Sequence, residues 1–367
     1  MIKRLSIVLL VMCMVLSFGA VLAQDEELVP VSLQLQWVAQ SQFAGYYAAV
    51  ANGYYEEEGL DLTILEGAVE IVPQQVVAAG DAEFGIAWVP KVLESREAGA
   101  DLVNIAQIFQ RSGTLQVSFV DTGIESVEDF EGMRIGTWGF GNEHELFVAM
   151  RAEGIDPENP DDVTIVQQPF DMSLLINGEV DAAQAMTYNE YAQVLETTDE
   201  DGELIYTADD LDVIDFNDVG TAMLQDHIFV RGEWLVEEGN PEIAEAFVRA
   251  SIRGWIFCRD NFDECVDIVL ENGPTLGEGH MRWQLNEINK LIWPSPDGIG
   301  TLDPDLWAQT VDVAIEGEVI TEAPGEAAYT LDITAAALAS LAADFPDLDL
   351  VGADYEPIEV EITPGGE

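Results

Sequence analysis

From Val31 onward, short apolar runs alternate with stretches whose apolar positions recur every three or four residues. The runs Val31 to Trp37, Leu60 to Leu65, Phe84 to Trp88 and Leu102 to Phe109 read as strands. Helices are predicted between them, at Gly45 to Gly59, Pro73 to Ala79 and Pro90 to Ala98. The pattern resets around Ser118 to Glu125. A second series follows, with strands at Met133 to Trp138, Val163 to Val166 and Ala182 to Met186, and helices at Asn142 to Ala152 and Met172 to Asn177. His227 to Val230 reads as a return strand. The remainder is helical at Pro241 to Phe257, Phe262 to Leu270, Gly279 to Ile292 and Asp305 to Glu316, ending in an acidic, loose tail over 352–367. Strand–helix alternation predicts an α/β protein with mostly parallel sheets covered on both faces. Two such series predict two lobes, residues 31–120 with 226–320 and residues 121–225, joined by crossings near 118–125 and 219–230. Ligands of such folds bind in the crevice at the strand C-termini.

The first residues change the picture of where the chain works. Lys3 and Arg4 precede an apolar run from Leu5 to Leu22, and Val21 and Ala23 form a small-residue site. This reads as a secretory signal over 1–23 cleaved after Ala23, giving an exported periplasmic or cell-surface protein; a retained anchor is the alternative. Cys13 follows Val11-Met12, which does not form a lipid-attachment motif. The charge is extreme: 70 acidic residues against 13 Lys and Arg, a formal net charge of -57. Such a surface repels phosphate backbones, so nucleic acid is excluded as a partner. It suits a solvated coat in high external salt, where repulsion is screened. Outside the cytoplasm, the two remaining cysteines, Cys258 and Cys265, predict one disulfide, two buried thiols being the alternative. No histidine stands near them at zinc-ligand spacing.

The residues Leu33-Gln-Leu-Gln-Trp37, Phe43-Ala-Gly-Tyr-Tyr through Gly53-Tyr-Tyr55, and Gly59-Leu-Asp-Leu62 resemble the opening of solute-binding proteins of the SsuA/ThiY-like family. Ala79-Gly-Asp81 and Gly178-Glu-Val-Asp181 resemble its paired motifs in the two lobes. Trp37 to Gly45, Trp138-Gly-Phe-Gly-Asn-Glu143, Ala185 to Glu190 and Gly254 to Asp260 resemble the riboflavin-binding RibY-type branch, a close relative of thiamine-pyrimidine-binding ThiY proteins. The resemblance spans roughly Val31 to Ile320. It implies a two-lobed periplasmic-binding-protein-like fold of type II, each lobe a mostly parallel sheet flanked by helices. It also implies the receptor of an ABC importer, a monomer that captures a vitamin-like heterocycle and delivers it to a membrane permease. Riboflavin leads, with a thiamine pyrimidine precursor next and an alkanesulfonate third.

A flat heteroaromatic ligand needs π-faces and a few directional polar groups. Trp37, Trp88 and Trp138 each end a predicted strand, where they either meet ligand or cap the core. Gln40, Ser41 and Gln42 follow Trp37. Gly139-Phe-Gly141 opens a helix at Asn142, where backbone N–H groups favour a polar edge. Tyr188 can stack or donate its hydroxyl. Glu190 can accept from ring N–H groups or cap its own helix. Gln225 and Asp226 either complete the polar edge or sit in the hinge. Lys91 either reaches the cleft or pairs with the acidic surface.

The same family includes thiamine pyrimidine synthases, which the resemblance describes as holding pyridoxal phosphate on a lysine, with a catalytic histidine and a cysteine-rich iron motif. Those positions fall at Ala87, Lys91 and Gly220 to Gln225, which offer no Schiff-base lysine, histidine or thiolate. His144, His227 and His280 are far apart in sequence, and no GxSxG, HExxH, CxxC or P-loop spacing appears. The expectation is therefore a binding protein with no cofactor and no metal, acting by hinge closure rather than chemistry.

Overall fold

The computed structural model describes residues 27–367; the signal segment expected at 1–23 lies outside the described residues. No helix among them is long and apolar enough to cross a membrane. Ten strands form two five-stranded sheets: β1 (Val29–Gln34), β2 (Leu60–Leu65), β3 (Phe84–Ala87), β4 (Leu102–Gln107), β5 (Thr114–Phe119), β6 (Arg134–Thr137), β7 (Thr164–Gln167), β8 (Ala182–Met186), β9 (Leu211–Asp215) and β10 (His227–Arg231). The first sheet runs β2-β1-β3-β10-β4 and the second β7-β6-β8-β5-β9. In each, one strand alone is antiparallel to its neighbours, β10 in the first and β5 in the second. Each is the first strand laid down after the chain crosses from the other lobe.

This corrects the first expected boundary. β5 pairs with β8 and β9, so the chain crosses at 108–113, ahead of the 118–125 reset. The reset is a pair of short 3-10 turns that follow β5. β5 reads weakly because it alternates polar and apolar residues, yet Gln116 and Ser118 are as buried as Leu115 and Val117. The edge strand β9, half exposed, carries no apolar run and was not foreseen.

The first lobe's core is a sheet face covered by the helix Asn240–Asp260. Phe84 stacks on Phe247 with centroids 3.8 Å apart, and burial of one such ring is worth about 1.5–3 kcal/mol. The expected helix from Gly45 to Gly59 is interrupted: Gly53 adopts φ 71°, which splits it into Ala44–Ala51 and Tyr54–Glu57. Cys258 and Cys265 are joined by a disulfide, with Cα atoms 5.0 Å apart, that ties the helix Asn240–Asp260 to Phe262–Asn272. The second lobe closes around Phe130, Ile135, Leu146, Met150 and Phe216.

The C-terminal stretch is not the loose tail its composition suggests. The Ile358 N–H donates to Asn286 Oδ1 (3.1 Å), Ile362 packs into the second lobe's core, and the Gly365 N–H donates to the Glu196 carbonyl (2.9 Å). Acidic side chains face water while the backbone and a few apolar residues are anchored. Charge alone therefore misreads the segment.

Helices Ala44–Ala51 and Asn240–Asp260 approach each other closely through glycines. A Cβ on Gly254 would stand 1.9 Å from the Gly45 carbonyl oxygen. Gly254→Ala is expected to lower stability by about 1–3 kcal/mol, read by denaturant unfolding. An unchanged midpoint would mean that the two helices can separate at no cost.

Candidate functional site: the interlobe cleft

In both sheets the parallel strands end on the same edge, and the two crossings turn those edges toward each other. Trp37 lies three residues beyond β1, while Trp88 and Trp138 immediately follow β3 and β6. Tyr188 follows β8. Aromatic rings bridge the lobes there: Trp37 meets Phe170 at 5.1 Å, and Phe170 lies nearly parallel to Trp138 (15°) at 6.3 Å. Phe109, just past β4, meets Tyr188 edge-on at 6.3 Å. Phe170 was not foreseen. It follows β7 in Gln167-Gln-Pro-Phe170, and its position after a strand was the available signal.

Beneath these rings sits Asp226, 2% exposed. Gln36 Nε2 donates to its Oδ1 (2.6 Å) and Gln42 Nε2 to its Oδ2 (2.9 Å), and the Trp88 side chain also hydrogen bonds to it. Burial pushes the carboxyl up to about 7, against the opposing pull of those donors and of Lys91. Gln40 stands behind, its Nε2 donating to Gln42 Oε1 (2.7 Å), which turns the Gln42 amide nitrogen toward Asp226. Ser41 faces away and donates to the Met281 carbonyl.

Lys91 enters from the first lobe, its Nζ 5.0 Å from the Trp88 ring centroid. It donates to Asn142 Oδ1 of the second lobe at 2.8 Å. Burial lowers its ammonium to about 8, offset partly by Glu143, Asp226 and Glu94. Asn142 is oriented by its own Nδ2 donating to the Gly139 carbonyl (2.7 Å). The turn that presents it, Gly139-Phe140-Gly141, is left-handed throughout, with φ of 70°, 56° and 81°. A bulky residue there is a conformational outlier. Trp138, 3% exposed, has an indole N–H with no acceptor among the described residues. Burial, and then the charges of Asp226 and Glu190, push the Tyr188 phenol well above its ordinary range, so its hydroxyl stays a donor.

Two expected ring-edge groups are engaged inside the protein. Gln225 Oε1 accepts the Gly113 N–H (2.9 Å), and its Nε2 donates to Thr114 Oγ1 (2.7 Å) and Ser112 Oγ (3.1 Å). That makes it a staple between the crossings, the hinge alternative of the sequence reading. Glu190 accepts the Met186 N–H (3.0 Å) and the Asn189 amide (2.8 Å), closing the turn that carries Tyr188. Burial raises its carboxyl to about 7. Glu145, which by sequence is a first-turn carboxylate favoured by the helix dipole, completes the hinge by accepting from the Met223 N–H (2.6 Å) and Ser112 Oγ (3.0 Å). Burial brings it to about 7 as well.

A family profile described as NMT1/THI5 like matches residues 40–265. The chain is 27% identical over 253 residues to a formylaminopyrimidine-binding protein of Halalkalibacterium halodurans, covering 68% of this chain and 72% of that one. It is 28% identical over 293 residues to the riboflavin-binding protein RibY of Chloroflexus aurantiacus, covering 76% and 78%. Proteins named 4-amino-5-hydroxymethyl-2-methylpyrimidine phosphate synthase also match, at 21–24% identity. Among solved structures, the periplasmic aliphatic sulphonate binding protein SsuA of Escherichia coli superposes with TM-score 0.59 and 14% identity, covering 91% and 94%. The fold is thus that of the two-lobed periplasmic binding proteins.

Asp226, Glu190 and Glu145 hold their protons more tightly folded than unfolded. Folding therefore takes up protons between the ordinary carboxyl range, about 4, and the raised values. Their contribution is intact below that window and is lost as pH rises through it. With the acidic coat screened by salt, these three carboxyls should make thermal stability fall from about pH 4 to about pH 7. The fall is partly offset by His227, which burial lowers to about 4 and which acts with the opposite sign over the same range. Glu145→Gln should flatten that fall by on the order of 3 kcal/mol. Equal slopes in the two proteins would remove Glu145 as a titrating hinge group.

Proposed function

The chain belongs to the NMT1/THI5-like family, and from that premise we propose that it is the exported solute-binding component of an ABC importer. It captures a flat, nitrogen-bearing vitamin-like heterocycle between its lobes. The observation that carries this reading is the cross-lobe aromatic wall of Trp37, Phe170 and Trp138 above the Asp226–Lys91 floor. Planar rings gain offset-stacking energy on such a wall. Ring and exocyclic N–H groups find an acceptor in the lone pair that Asp226 keeps beyond its bonds from Gln36, Gln42 and Trp88, and ring acceptors find the Trp138 indole N–H and the Lys91 ammonium.

Two ligands fit the class. Riboflavin and a formylaminopyrimidine are named by relatives of nearly equal identity, 28% and 27%. An alkanesulfonate suits the floor less well. It is fully ionised and would sit beside Asp226, with Lys91 as its near cation. Catalysis of the synthase kind is disfavoured by the residues themselves. The Schiff-base position is Ala87, whose strand pairs it with His227, and 220–225 contains no cysteine. Those residues do not fit pyridoxal phosphate or iron. The protein acts as a monomer, and the ligand stabilises the closed state by touching both lobes. A membrane permease receives it from there.

Titration of the mature chain from Gln24, at low and high salt, tests the reading. Flavin fluorescence reports riboflavin, and calorimetry reports the formylaminopyrimidine. Saturable one-to-one binding of either is expected, weakened more than tenfold by Trp138→Ala in a variant that still folds. Failure of both ligands with folded protein would overturn the heterocycle assignment. Unchanged affinity in the variant would remove Trp138 from the site.

A further inference from the structure

His280 belongs to the helix Glu278–Ile292, which packs on the first lobe. Its ring points into the second. Nδ1 lies 2.9 Å from both carboxylate oxygens of Glu196, and Nε2 lies 2.8 Å from Asn189 Oδ1. The Asn189 amide is oriented by its nitrogen, which donates to Glu190 Oε1 at 2.8 Å. Both ring nitrogens thus face acceptors, and only the imidazolium can donate to both. One helical turn on, Trp283 donates its indole N–H to the Thr187 carbonyl (3.0 Å). Together these two side chains of one lobe grip the 187–190 loop of the other, the loop that carries Tyr188.

We propose that His280 is a latch that holds the lobes closed and positions the Tyr188 loop, so that removing its side chain opens the cleft. The ion pair is part-buried, with 15% and 8% of the two side chains exposed, so water screens it little. The C-terminal segment seals it: the Gly365 N–H bonds to the Glu196 carbonyl, and a Cβ on Gly366 would stand 2.9 Å from His280 Cβ and 3.0 Å from Glu196 Oε2. The groups facing the ring are Glu196, Asn189 and Glu190 from the second lobe and the Thr363–Gly366 segment from the C-terminal stretch. Opening removes the acceptors, so both ring contacts are made only in the closed state.

The latch requires only the two lobes, and its test uses ligand-free protein, so it stands apart from the ligand assignment. Spin labels at the exposed Asp61 and Glu153, one per lobe, report the interlobe distance after Asp61→Cys and Glu153→Cys. In the wild type the shorter, closed distance should dominate the distribution. The decisive comparison is His280→Gln at the same pH. That variant should move the distribution toward longer distances. Glu196→Gln, which leaves the helix untouched, should behave alike and provides the reading if His280→Gln does not fold. A distribution in a folded variant that matches wild type would overturn the latch.

Discussion

Everything the cleft does depends on a buried hydrogen-bonded knot where the chain passes twice between its sheets. Segments 108–113 and 216–226 run side by side there. Glu145 grips one through Ser112 and the other through Met223, and Gln225 joins its own crossing to Gly113, Ser112 and Thr114. Asn217 closes the knot on its flank by exchanging two bonds with the Ser112 backbone. Each buried polar atom left without a partner would cost about 1–3 kcal/mol. The knot therefore fixes which strand ends face which, and so where Trp37, Trp88, Trp138 and Tyr188 meet.

The knot also explains the chemistry next to it. Asp226 follows Gln225 directly and cannot leave the buried floor. Its charge is opposed by burial and supported by three side-chain donors, which brings its titration toward neutrality. Lys91 is drawn toward the same range from the other side. Neighbouring groups able to give or take a proton near neutrality thus lie beneath a wall of rings. The acidic exterior is a separate matter. Its repulsion acts between surface charges that salt screens over about 8–10 Å at ordinary ionic strength, whereas the floor lies outside that screening.

Much of this was legible in the sequence because it rests on local pattern. Apolar runs marked eight of the ten strands, and three tryptophans at strand ends marked the cleft wall. What stayed hidden depends on partners far away in the chain. β5 has an ordinary alternation, and only its antiparallel pairing with β8 and β9 puts it in the second lobe. Glu145 reads as an N-terminal helix carboxylate until the crossings come within its reach. Glu190 and Gln225 have the right chemistry for a ligand edge, but neighbours brought by the fold occupy their atoms. The C-terminal segment is acidic in composition and ordered by its backbone bonds, which composition does not record.

The contacts that join the lobes divide into two kinds, and the division says how selectivity arises. The knot lies within the crossings themselves, with Glu145 reaching in from the helix His144–Ala152. The Lys91–Asn142 bond, the Trp37–Phe170 contact and the His280–Glu196 pair exist only when the lobes are together. A ligand that inserts between Trp37 and Trp138 would displace Phe170, exchanging its two ring contacts for two broader ones. On the proposed function, planarity and ring size would then be tested by the wall before any hydrogen bond forms. The floor can discriminate only among molecules that the wall has accepted, which makes shape the first filter and polar complementarity the second.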